Sequence, residues 1–258
     1  MASRPTLFLL QYDGGAFAGW QRQPAARTVQ GDVEDILARL LGKRTPVIGA
    51  GRTDAGVHAT GQAAAAMVPE RWEPPDLVRA MNALLPSDIW IASACRMAPG
   101  FNARRHAVER TYCYRIGTDA TSRSPFRQRH EWTMTSPMDW PLLVAAAQGL
   151  LGEHSFLGLS AKGPQRAHYR CRVFEAQWLQ REDAEGLEFW ITADRFLHHM
   201  VRFVVGLMVD IARGRRPLAD LPTLLAATDN RSASPPAPAR GLFLVGVRYP
   251  PHSYLQAT

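Results

Sequence analysis

Segments with strand periodicity and segments with helix periodicity alternate along this chain, and their order limits the folds that it can adopt. Strands are predicted at 6–12, 46–50, 62–68, 89–97, 111–117, 172–180, 187–193 and 241–250. Helices are predicted at 28–43, 76–85, 139–151, 194–213 and 218–227, and a long polar loop at 152–171. The order of the first part returns in the second with an added hairpin, which predicts an α+β fold of two similar halves, 1–105 and 106–258.

Composition places the chain among globular proteins, since 46% of its residues are hydrophobic. No apolar run is long enough to span a membrane, and the apolar residues near the N-terminus suit a first strand better than a signal peptide. The three cysteines, Cys95, Cys113 and Cys171, form no C-x-x-C pair. They therefore indicate neither a zinc site nor a disulfide framework, and the expected compartment is the cytoplasm.

The charge balance favours an anionic partner. Thirty Lys and Arg residues stand against 23 Asp and Glu residues, a net charge of +7, and only Lys43 and Lys162 are lysines. The arginine guanidinium is a planar five-donor group that suits phosphates and stacked bases. A polyanion is therefore a plausible partner. Composition alone is equally consistent with an arginine-rich proteome encoded by a GC-rich genome.

The segment 194–213, DRFLHHMVRFVVGLMVDIAR, combines an apolar surface with one basic stripe. At helical spacing Arg195, His198, His199 and Arg202 share a face. The remainder of the predicted helix is apolar and should be largely buried, so a short basic stripe suggests a cleft with an anionic occupant. The alternative is an ordinary solvated helix face.

The segment 49–62, GAGRTDAGVHATGQ, places Asp54 in a glycine-rich loop. It matches neither a phosphate-binding P-loop, which requires Lys and Ser/Thr after the second glycine, nor the dinucleotide fingerprint, which requires a third glycine. One alternative is that Asp54 is only a turn residue. Another is a metal-dependent hydrolase, because Asp54 with His58, and Asp194 with His198, have i, i+4 spacing; no second carboxylate cluster supports it.

Aromatic and basic residues interleave in three segments: YDGGAFAGWQRQ (12–23), FNARRHAVERTYCYR (101–115) and KGPQRAHYRCR (162–172). Rings that stack on bases, beside guanidinium groups that bind phosphates, are typical of proteins that bind single-stranded RNA. Together with the positive charge, the three segments favour RNA as the partner.

These residues carry a resemblance that covers nearly the whole chain. The ordered motifs are YDGGAFAGWQRQ, TVQ, GRTDAGVHATGQ, NALLPSDI, FNARRHAVERTYCY, LLGEHSF, FLHHMVR and GLFLVGVRY. In this order they resemble the tRNA pseudouridine synthase A family. The resemblance implies a pseudouridine synthase fold, in which two similar sheet-plus-helix halves, each ferredoxin- or RRM-like, surround a central cleft. It also implies a homodimer that needs no metal and no small-molecule cofactor.

The resemblance further implies an isomerase that converts uridine to pseudouridine at positions 38, 39 and 40 of the tRNA anticodon stem-loop. Three positions match the family's catalytic residues: Asp54 as the nucleophile, Tyr112 as the active-site tyrosine and Arg202 as the arginine expected to pair with the aspartate. Five further positions are expected to contact the substrate: Arg52, His58, Arg110, His198 and Leu244. The chain departs from the family's usual residues at Asn102 and Arg105.

The expected chemistry explains why a carboxylate, an arginine and a tyrosine would be needed. An ionised carboxylate can attack the ribose or stabilise positive charge at C1′, and an adjacent arginine favours its charged form. A tyrosine can stack on the detached base and assist removal of the C5 proton. The sequence leaves attack at C1′, addition at C6 and a glycal route open. It also leaves open an RNA-binding protein that has the fold but no catalysis.

Overall fold

The computed structural model describes residues 2–161, 169–183 and 185–255, and within these ranges it contains ten strands and five α-helices. The strands are β1 (Ser3–Tyr12), β2 (Ile48–Gly49), β3 (His58–Pro69), β4 (Ile89–Arg96), β5 (Glu109–Gly117), β6 (Trp132–Thr133), β7 (Gly152–Ser155), β8 (Arg170–Gln180), β9 (Gly186–Ala193) and β10 (Leu242–Arg248). The helices are α1 (Val29–Leu41), α2 (Pro74–Asn82), α3 (Trp140–Gln148), α4 (Met200–Ala212) and α5 (Asp220–Ala226). The predicted α+β class is confirmed.

The chain forms two units, and most of the last strand joins the first of them. The first unit contains the residues up to Glu109 together with those from Leu244 onwards, and the second unit is Arg110–Phe243. The sequence predicted a division near residue 105 but assigned the final strand to the second half. Close packing between β3 and β10 explains the difference. A Cβ at Gly61 would lie 2.1 Å from the Val245 carbonyl oxygen, so only glycine allows this approach.

The strands of the first unit lie in the order β4-β1-β3-β10, in which β1 is antiparallel to β3 and to β4, and β2 pairs antiparallel with β3. Alternate residues of β1 point into a core, and Phe8 and Leu10 are fully buried there. Helix α1 begins at the N-cap Thr28, whose side chain accepts a hydrogen bond from the Gly31 amide. The Asn82 side chain at the end of α2 exchanges two hydrogen bonds with the backbone of Ile91, which joins that helix to β4.

The second unit contains the order β5-β9-β8-β7, in which neighbouring strands are antiparallel, while β6 runs parallel to β5. The β8–β9 hairpin confirms the one predicted from the sequence. Helix α3 packs against β8 and α4. Helix α4 is apolar on nearly its whole surface and is almost completely buried.

The loop predicted at 152–171 is wrong in its first part, because 152–155 forms the strand β7. This strand pairs with β8 through Glu153 opposite Arg172, and Glu153 forms ion pairs with Arg170 and Arg172. Its residues are mostly polar and partly exposed, so they carry none of the hydrophobic alternation that identifies a strand. Residues 162–168 of the predicted aromatic–basic segment 162–172 lie outside the described residues. Among the described residues, no helix has the length and apolar character needed to cross a membrane.

Candidate active site

The glycine-rich segment between β2 and β3 forms a tight loop, here called the aspartate loop (residues 49–57). The Val57 amide donates a 3.1 Å hydrogen bond to the Asp54 carbonyl, and Gly56 has a left-handed φ of 77°. Asp54 is partly exposed, between the exposed Arg52 and Ala55, whereas Thr53 beside it is buried. The loop therefore buries Thr53 and Val57 and leaves Asp54 partly exposed.

The N-terminal motif at 12–23 packs directly against the backbone of this loop. A Cβ at Gly14 would lie 2.0 Å from the Val57 carbonyl oxygen, and one at Gly19 would lie 2.7 Å from that of Thr53. The Trp20 amide donates a 3.0 Å hydrogen bond to the same Thr53 carbonyl. Gly14 and Gly19 therefore allow two backbone segments to meet, which makes the N-terminal motif a support for the aspartate loop.

The same motif does not provide the stacking surface that its aromatic residues suggested. Phe17 and Trp20 are 4% and 2% exposed, so neither ring can stack on a base. The Arg27 guanidinium covers the Phe17 ring at 4.2 Å, and Arg22 forms an ion pair with Asp35. These aromatic and basic residues hold the motif in place.

A buried hydrogen bond joins β1 to the residue that precedes Asp54. The Tyr12 hydroxyl lies 2.8 Å from the Thr53 hydroxyl, and both residues are buried. Burial raises the pKa of Tyr12 well above its usual value, so the phenol stays protonated at any physiological pH. The bond therefore fixes the position of Thr53 relative to the sheet, and with it the start of the Asp54 turn.

His58 continues this network at the other end of the loop. Its Nδ1 accepts a 3.0 Å hydrogen bond from the Gly14 amide and lies 3.1 Å from a carboxylate oxygen of Asp13. At 1% exposure, His58 holds the two segments together, and its substrate contact stays a prediction.

Tyr112 lies on β5 in the second unit and is 7% exposed. Its ring packs edge to face against Phe196, with 4.9 Å between the centroids. The next residue, Cys113, is also buried, and burial raises the pKa of its thiol to about 12, which rules out a thiolate nucleophile there. The fully buried Tyr114 donates a hydrogen bond to the Pro238 carbonyl.

The predicted helix 194–213 is wrong over its first six positions, because α4 begins only at Met200. His199 has a left-handed φ of 60°, which no helical residue adopts. The backbone before it bonds elsewhere: the Asp194 amide donates to the Arg172 carbonyl and the Ala161 amide to the His198 carbonyl. Arg195, His198 and His199 therefore do not share a helical face with Arg202. Asp194 and His198 are not helical either, so their i, i+4 spacing does not place them on one helix face as the metal alternative required.

Arg202 lies in the first turn of α4 and is held by the proline-rich segment 235–238. Its Nε donates a 2.7 Å hydrogen bond to the Ala237 carbonyl, and the Ala237 amide donates one of 2.9 Å to the Arg202 carbonyl. A Cβ at Gly206 would lie 2.1 Å from the Pro235 carbonyl oxygen, so this glycine lets the segment approach the helix. The sequence offered one signal of this close packing, a glycine within an apolar helix.

The other predicted site residues differ in exposure. In the second unit His198 is exposed, while Arg110 is partly buried and donates a 2.8 Å hydrogen bond to the Asp194 carbonyl. In the first unit Arg52 is exposed and Leu244 on β10 is completely buried. The contacts that shape the aspartate loop lie within the first unit, and the Phe196 contact of Tyr112 and the Ala237 bonds of Arg202 lie within the second.

Comparisons with known proteins agree with the motif order. A family model described as tRNA pseudouridine synthase matches residues 9–104 and 146–250. The tRNA pseudouridine synthase A of Moorella thermoacetica is 41% identical over 247 residues, which cover 93% of this chain and 97% of the relative. The proteins of the same name from Cereibacter sphaeroides and Myxococcus xanthus are 40% identical over 246 residues and 37% identical over 240 residues. These matches cover 93% of this chain in both cases, and 95% and 90% of the respective relatives. This chain therefore belongs to the tRNA pseudouridine synthase family.

Proposed function

We propose that this protein isomerises uridine to pseudouridine at positions 38, 39 and 40 of the tRNA anticodon stem-loop, with Asp54 as the nucleophile. Family membership supports the reaction class and the tRNA substrate. The observation that carries the role of Asp54 is the aspartate loop, in which a buried framework presents one partly exposed carboxylate. A loop held so closely suits a nucleophile, because misplacement of a reacting group by about 1 Å can cost roughly 100-fold in rate.

The reaction needs no external reagent. The N1–C1′ bond breaks, the uracil turns, and a C5–C1′ bond forms; the C5 proton passes to solvent and N1 takes up a proton. Substrate and product are isomers, so no electron donor or energy source is required. Whether Asp54 attacks C1′, adds to C6 or assists a glycal route, the carboxylate must be ionised and close to the junction of base and ribose.

We propose supporting roles for the other residues. Tyr112 assists removal of the C5 proton from the detached base. Arg202 supplies positive charge to the reacting groups. Its Nε donates a hydrogen bond to the Ala237 carbonyl, which limits the orientations of the guanidinium. The exposed Arg52 and His198 contact the RNA, as does Arg110. The buried Leu244 contributes an apolar wall to the active site. The family resemblance also supports a homodimer that works in the cytoplasm.

Release of tritium from C5 of uridine tests the proposed reaction. An unmodified tRNA transcript labelled with tritium at C5 of its uridines should release one tritium to water for each uridine converted, with EDTA present throughout. A matched transcript with cytidine at positions 38 to 40 should release none. A parallel reaction without EDTA separates the alternatives: release only in that reaction would favour the metal-dependent alternative, whereas binding without release in both reactions would favour an RNA-binding protein.

The Tyr12–Thr53 hydrogen bond provides a separate prediction. Tyr12→Phe leaves the buried Thr53 hydroxyl without this partner and should lower the free energy of unfolding by about 1 kcal/mol. It should also lower kcat by roughly tenfold at unchanged KM, because the start of the Asp54 turn becomes less defined. Thr53→Val should lower kcat in the same way. Thr53→Ser keeps the hydroxyl and should retain the wild-type kcat. A kcat for Tyr12→Phe equal to that of the wild type would show that the bond does not position Asp54.

A further inference from the structure

Phe126 is exposed to water to an extent that core packing does not explain. It is 88% exposed, whereas Trp90, the next most exposed of the large apolar side chains in the described residues, is 54% exposed. It lies in the segment between β5 and β6, here called the Phe126 loop (residues 118–131). Scattered exposed apolar residues are common on protein surfaces, so the exposure becomes informative only together with the construction of this loop.

The Phe126 loop is tied down by its own polar residues. Asp119 caps a short 3₁₀ turn by accepting a 3.1 Å hydrogen bond from the Ser122 amide, and it also accepts one of 2.9 Å from the Arg127 guanidinium. After Phe126, the amides of Arg127 and Gln128 both donate to the Ser124 carbonyl. The chain is therefore bonded on both sides of Phe126, and its ring is held out into water by a folded turn.

The acidic and basic side chains of the loop differ in their exposure to water. The acidic groups point inward: the side chains of Asp119 and Glu131 are 18% and 3% exposed, and both form ion pairs with Arg127. Glu131 also contacts Arg181. By contrast, Arg123 and Arg129 are exposed on either side of Phe126. The loop thus carries an exposed aromatic ring with exposed arginines three residues before and three residues after it, while its two carboxylates are largely buried in ion pairs.

We propose that Phe126 stacks on an unpaired base of the tRNA, and that Arg123 and Arg129 contact the phosphates that flank it. An aromatic ring between guanidinium groups matches a base between phosphates, which is how proteins bind single-stranded nucleic acid. Charge complementarity favours RNA over a protein partner, because the loop offers no exposed carboxylate to a basic protein surface. The identity of the ligand rests on the proposed function, but the contact is a property of binding and not of catalysis.

Binding of an unmodified tRNA transcript to the full-length protein tests this contact. Phe126→Ala should raise Kd and KM by roughly tenfold with kcat unchanged, while Phe126→Tyr, which keeps the ring, should stay within about twofold of the wild type. Trp90→Ala is the matched control, since it removes another exposed aromatic ring, and it should leave Kd unchanged. A Kd for Phe126→Ala no higher than that for Trp90→Ala would overturn the proposal.

The salt dependence of binding separates stacking from charge. Arg123→Gln and Arg129→Gln should each reduce the slope of log Kd against log salt by about 0.7, whereas Phe126→Ala should leave the slope unchanged. A change in the sedimentation of the RNA-free protein on Phe126→Ala would assign the ring to a protein contact and would overturn the proposal. These binding measurements remain decisive even if the wild type binds tRNA without forming pseudouridine, which would contradict the proposed function alone.

Discussion

Asp54→Asn should lower kcat for pseudouridine formation by roughly 10³-fold or more, since removing the nucleophile of an enzyme typically has an effect of this size or larger. The amide is nearly isosteric with the carboxylate but carries no charge and is a poor nucleophile. The side chain is partly exposed, and hydrogen bonds of the backbone of residues 53–57 and of the Thr53 hydroxyl shape the loop. The melting temperature and the Kd for tRNA should therefore remain close to those of the wild type.

Asp76→Asn is a matched control for this substitution. Asp76 is an exposed aspartate in the same unit, and its neutralisation removes one negative charge away from the aspartate loop. It should retain wild-type kcat. Single-turnover tritium release, with Kd and melting temperature measured on the same preparations, makes the comparison. If Asp54→Asn kept more than about a tenth of the wild-type rate, Asp54 would not be the nucleophile.

Gly14→Ala should disturb both the stability and the activity of the protein. The added Cβ would lie 2.0 Å from the oxygen and 2.5 Å from the carbon of the Val57 carbonyl, so two backbone segments would have to separate. Overpacking against backbone costs about 3 kcal/mol in the free energy of unfolding. Because Val57 ends the turn that holds Asp54, kcat should also fall by roughly 100-fold.

Gly15→Ala is the control for this effect, because it makes the same chemical change one residue away. The Cβ there would meet only a carboxylate oxygen of Asp13, at 3.1 Å. A side-chain atom can move, so we expect a change within about 0.5 kcal/mol and near-wild-type kcat. Urea unfolding and tritium release measure both variants. Equal behaviour of the two would show that the close approach of Gly14 to Val57 is not needed for the site.

Elements with strong local signals could be predicted from the sequence. Helix α1 lies within the predicted 28–43, and the β8–β9 hairpin lies where alternating residues flank a polar turn. The predicted helix 194–213 failed at its start, because an apolar pattern with regularly spaced basic residues also fits a segment that turns at His199. Periodicity reports which side chains could share a face; it does not report where the backbone bonds leave the helix.

The candidate site was predicted unevenly, for a similar reason. The loop motif identified Asp54, but the residues that support it come from another part of the chain. The contacts of Gly14 with Val57 and of Tyr12 with Thr53 join segments about 40 residues apart, and no local pattern reveals them. The interleaved aromatic and basic residues at 12–23 suggested RNA binding, yet they fill the core and form internal ion pairs.

The most direct test of the central claim is to map pseudouridine, nucleotide by nucleotide, in an unmodified tRNA after incubation with the wild type or Asp54→Asn in EDTA. A tRNA with uridine at positions 38, 39 and 40 should acquire pseudouridine there, and only with the wild type. Pseudouridine at other positions would contradict the proposed substrate site. Equal product from Asp54→Asn would contradict the role given to the aspartate loop.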